Sequence, residues 1–84
     1  MKLPVIKHLA SNPEFDVKNL EDTVDVLISI ADARGIKDEE LGVIGELVSN
    51  LEGAINVKNQ VKLGTPLKDA LNNFMKRVFK AVNN

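Results

Sequence analysis

One histidine, His8, and no cysteine stand in the 84 residues of this chain. An imidazole does acid–base or metal work only beside a nucleophile, a carboxylate or further ligands, and the sequence places none of these at a recognisable spacing from His8. The twelve Asp and Glu residues cluster, but the runs from Asp16 and from Asp32 lack the D-x-[DN]-x-[DN]-G spacing that wraps oxygen ligands around calcium. A glycine-rich phosphate loop, an HExxH pair and a GxSxG elbow are also missing. These absences predict a chain that is not an enzyme and that uses no metal and no cofactor.

Two other groupings could bind rather than react. The first is a strip of small residues, Gly42, Gly45, Ser49 and Gly53, beside Val57 and Val61. Small side chains about one helical turn apart let another backbone approach closely. This strip is therefore a candidate protein-interaction surface, for a helix of the same domain, for a partner or for a second copy. The second is basic: Lys58, Lys62, Lys68, Lys76, Arg77 and Lys80, a candidate surface for a polyanion such as RNA. The asymmetry behind it is strong. Residues 1–52 carry five basic and eleven acidic residues, whereas residues 53–84 carry six basic residues and Asp69 alone. Such a split marks either a nucleic-acid or acidic-partner surface, or acidic helices lying against a basic one.

The elements that hold these groups read as helices. In 38–63, Leu41, Ile44, Val48, Leu51 and Ile55 recur at spacings of 3, 4, 3 and 4, one stripe at about 100° per residue. Asp38 is a good N-cap, with Glu39 and Glu40 at the positive end of the dipole. Three interior glycines cost about 3 kcal/mol relative to alanine, which close packing must offset. Beyond Ile55 a straight helix would place Lys58 and Lys62 on the core stripe, while Ala54, Val57 and Val61 follow a face rotated by about 120°. The expectation is a bend or short break near Gly53–Asn56. The alternative is a straight helix burying two faces against two neighbours.

Before it, Pro4 suits the first turn of a short helix over PVIKHLAS, and Asn12-Pro13 marks a turn. A second helix is expected from Asp16 to Arg34, stopped by Gly35, with Val17, Leu20, Val24, Leu27, Ile28 and Ala31 as its buried stripe. Gly64-Thr65-Pro66 is the cleanest boundary: glycine closes one helix, threonine caps the next and proline takes its first position. The last helix should present Leu67, Leu71, Phe74, Met75, Val78, Phe79 and Val82 on one face. The fold class is all-α, a small bundle of three to four helices with short connections, in one domain spanning 1–84.

Composition agrees. With 44% hydrophobic and 27% charged residues, the chain has the balance of an ordinary globular protein. No apolar run approaches the roughly 18 residues of a membrane span, and the N-terminus lacks a secretory pattern, so no membrane role and a cytoplasmic location are expected. A helix-turn-helix spacing of Ala31, Gly35 and Ile44 is also present. Asp38, Glu39 and Glu40 would face the bases there and repel the phosphates that dominate DNA affinity, so that reading is rejected.

MKLPVIKHL, IKDEELGVIGELVSN and GTPLKDALNNFMKRV together resemble a group of short, uncharacterised bacterial helical proteins. The likeness covers most of the chain and lies in overall phrasing, so it implies a small helical domain of unknown function and carries over no site residue. The function expected from the residues is a non-enzymatic module that binds a protein partner or itself as a homodimer through the notched helix. An RNA- or ribosome-associated protein using the basic segment 58–80 is the alternative.

Overall fold

The computed structural model describes residues 1–83, with side chains through Val78. Among them the chain forms four helices and no strand: α1 Leu3–Ser11, α2 Val17–Ala31, α3 Asp38–Lys62 and α4 Leu67–Asn83. The all-α bundle is the expected class.

Local chemistry sets most of the ends. Asp16 caps α2, its carboxylate accepting the Asn19 N–H at 2.8 Å while the Asn19 side chain accepts the Asp16 N–H at 3.0 Å, a reciprocal capping box. Asn12 makes the turn after α1, its side chain accepting the Glu14 N–H at 2.9 Å. At the end of α3, Gly64 takes φ +107°. Its N–H donates to Val61 O and the Thr65 N–H to Gln60 O, both at 3.0 Å, the paired closure that a left-handed glycine permits.

Other boundaries shift from expectation. Helix α2 ends at Ala31 with Asp32 as its cap, three residues short of Arg34. The Asp32 and Ala33 N–H groups tighten onto Ser29 O and Ile30 O, and Gly35, at φ +86°, lies in the following turn. Helix α3 begins at Asp38 with Lys37 as the cap residue. A lysine has no acceptor to offer, and Glu40 supplies the reverse half of the box by accepting the Lys37 N–H at 3.0 Å. Helix α4 opens one residue later than expected, the Pro66 carbonyl accepting the Ala70 N–H at 2.9 Å.

The short break expected in α3 is not there. The helix runs unbroken over 25 residues, about 38 Å at 1.5 Å per residue, and solves the packing problem by burying two faces. Ile44 and Ile55 border α2, beside Ile30 and Val24. The other face, at Asn50, Gly53, Ala54 and Val57, is buried and receives α1 and α4. An added Cβ on Gly53 would lie 2.9 Å from Ile6 Cδ1 and 3.0 Å from Phe74 Cζ, so the missing side chain is what lets both helices close in. Ile6, Ala10, Leu20, Val24, Leu51, Ala54, Val57, Ala70 and Phe74 form one core.

Every extensive helix–helix contact among the described residues has α3 on one side: with α2, with α1 and with α4. The acidic α2 therefore does not lie against the basic α4. The result is flat, 43 × 34 × 17 Å, with a radius of gyration of 13.8 Å, against about 12 Å for a compact chain of this length.

Candidate interaction surface

Each neighbour of α3 is shorter than α3, and two of them cover the same half. Residues α3 buries (Asn50, Leu51, Gly53, Ala54 and Val57) begin at Asn50, and none lies in 38–49. Helix α1 runs alongside from Asn50, where the Lys2 N–H donates to Asn50 Oδ1 at 2.7 Å, past Gly53 to Lys58, where Lys58 Nζ donates to Asn12 O at 2.9 Å. Nine residues span only about 14 Å, so α1 does not reach the first half of α3, which α2 borders.

That half, with the facing part of α2, is a hairpin whose apolar side chains lack cover. Val26, Ile30, Val43 and Leu47 are 59%, 42%, 56% and 44% exposed. Each pair is spaced i, i+4, so each makes a ridge along its helix. Between the ridges lies a groove of about 350 Å³ lined by Ile30, Ile36, Val43, Ile44, Glu39 and Glu40. Val26 and Leu47 extend its two walls one turn further from the hairpin tip. Ile28, expected in the buried stripe of α2, is exposed together with Leu41. Away from the groove, Lys18 forms an exposed ion pair with Asp22 near the start of α2.

The small-residue strip divides at the same point. Gly53 and Val57 are buried, and Ile6 of α1 and Phe74 of α4 close on Gly53, so at this end the strip receives helices of the same domain, one of the occupants expected for it. Around Gly42 and Gly45 an added Cβ would meet nothing within 4 Å, and Ser49 is half-buried. Val61 lines a separate depression with Ala10, Asp16, Val17, Lys58 and Lys62. The interacting surface thus moves from the glycines to the aliphatic ridges beside them. Val26 and Ile30 lie off the stripe expected to be buried in α2, but sequence alone did not reveal how short α1 falls.

The basic residues with described side chains lie in several settings. Lys58 is half-buried and tied to Asn12, with Lys62 beside it against the α1–α2 turn. Arg77 donates to Asn56 Oδ1 from the α4 side, and Lys68 borders α1 near Lys7. Lys76 is exposed, and the Lys80 side chain, with Phe79 and Val82 of the expected stripe, lies outside the described residues. No group of three or more metal-ligand side chains occurs among the described residues, nor does any helix there have the length and apolarity to cross a membrane.

Fold and surface define a small all-α domain whose central helix is buried along one half. The chain belongs to DUF6952, a family of unknown function whose model matches residues 1–83. Neither a curated protein nor a solved structure matches it.

Proposed function

We propose that this protein is a non-enzymatic interaction module that binds protein through the aliphatic face of the α2–α3 hairpin. The observation that carries the reading is the contrast within α3, where burial starts at Asn50 while Leu41, Val43 and Leu47 ahead of it stay open to solvent. An apolar patch of this kind on a small chain marks a contact surface. The groove supports binding more than turnover, because its polar groups, Glu39 and Glu40, sit with aliphatic neighbours and no nucleophile.

A photo-crosslinking residue at Leu47, with another at Lys68 as control, tests this in native extract. Protein adducts formed at Leu47 and not at Lys68 are expected. Equal labelling at the two positions, or none at Leu47, would overturn the reading.

A further inference from the structure

We infer that the occupant of the hairpin face is a second copy of this chain, joined to the first by a two-fold axis. The inference rests on the binding reading above and names its partner. Its first support is area. The chain exposes 5968 Å², whereas a compact monomer of 9.2 kDa exposes about 4,900 Å². The excess, about 1,000 Å², compares with the roughly 800 Å² that each partner of a stable pair buries. A flat body of 17 Å thickness reaches the ordinary surface of a folded protein when one broad side is covered once.

The second support is shape. A two-fold interface uses the same patch on both copies, so the patch must complement itself. This one carries both halves of a fit. The ridges Val26/Ile30 and Val43/Leu47 stand beside the groove that Ile36 and Ile44 floor, and rows of i, i+4 side chains pack into grooves of the same kind. Two hairpins joined this way give a four-helix layer, and the exposed aliphatic residues become its core.

Charge placement agrees with self-association. Glu39 and Glu40 border the groove, and the loop that supplies Ile36 also supplies Arg34 and Lys37. Both signs therefore occur in the stretch of chain that forms the rim, while the ridge residues Val26, Ile30, Val43 and Leu47 are uncharged. A strongly basic or acidic partner would leave half of that rim mismatched.

The test is the mass of the purified full chain by light scattering across a concentration series. Twice the 9.2 kDa chain mass is expected, retained in added salt and after nuclease treatment, because aliphatic burial is not screened. Val43→Glu with Leu47→Glu should raise the dissociation constant at least ~100-fold, since four carboxylates would be buried in the pair. Both sites are exposed in the single chain, so helicity by circular dichroism should be unchanged. Should that double variant unfold, a cysteine decides independently: in this cysteine-free chain, Val43→Cys should form an inter-chain disulfide under mild oxidation and Lys68→Cys should not. A monomer at every concentration, or a mass that falls with salt or nuclease, overturns the second-copy inference. If Leu47 still captures a different protein, the binding reading stands without it; if it captures none, both fall.

Discussion

The Lys2 N–H and Asn50 Oδ1, 2.7 Å apart and 48 residues distant in the chain, meet where the cover over α3 ends. Asn50 is the one polar residue buried among the described side chains, and it gives the first turn of α1 a fixed anchor on α3. Replacing it with leucine leaves the Lys2 N–H without its acceptor, and an unpaired donor of this kind costs about 1–3 kcal/mol. The expected outcome for Asn50→Leu is a lower urea midpoint with an unchanged slope, whereas Asn59→Ser, an exposed change of near-equal helix propensity, should move neither. An unchanged midpoint in Asn50→Leu would show that the bond contributes nothing.

Glycines on the same helix should respond with opposite signs. Alanine at an exposed helix interior gains about 0.5–1 kcal/mol over glycine, and Gly45 has open space for the methyl. At Gly53 the methyl would meet Ile6 Cδ1 at 2.9 Å and Ile6 Cγ1 at 3.2 Å, and Ile6 is fully buried with nowhere to swing. Overpacking of that kind costs about 1–3 kcal/mol, which outweighs the propensity gain. Thermal melts should therefore rise for Gly45→Ala and fall for Gly53→Ala. A rise in both would mean the approach of α1 and α4 is loose.

Lys58 ties the turn after α1 to α3. Lys58→Met keeps the apolar stem and removes the bond to Asn12 O. A loss of about 1 kcal/mol is expected, the low side for a charge-assisted bond because the group is only half-buried. Lys62→Met, on the same side but without a tertiary hydrogen bond among the described residues, should be silent in the same denaturation series. Equal losses from the two would assign the effect to net charge.

The Lys18 ammonium, hydrogen-bonded to the Asp22 carboxylate at 2.7 Å and attracted by its charge, has its pKa raised above the ordinary 10.5. A raised lysine pKa contributes stability fully below that ordinary value and loses it only as pH climbs through the folded value. This pair should thus leave stability flat between pH 6 and 9. Comparing Lys18→Gln with the parent across that range should give parallel curves, and divergence below pH 9 would count against the assignment.

Much of the helix layout was legible because it rests on local signals. Asn12-Pro13, Asp16 and Gly64 act within a few residues of themselves, and the structure uses each as its chemistry suggests. The course of α3 was harder. Its apolar side chains follow two stripes, and a sequence cannot say whether a helix breaks to merge them or runs on between two neighbours. Gly53 looked like a weak point, yet Ile6 and Phe74 close in on it more tightly than anything does on the helix's other glycines. The exposed ridges were hidden for a different reason. Val43 and Leu47 look like core by type, and only the short reach of α1 leaves them bare.

Burial along α3 starts at Asn50, where the Lys2 N–H also anchors α1, so the helix is gripped hardest toward one end, like a beam set in a wall. A methyl added inside that socket, at Gly53, strikes Ile6 and Phe74, whereas one added on the span ahead of it, at Gly42 or Gly45, meets nothing within 4 Å.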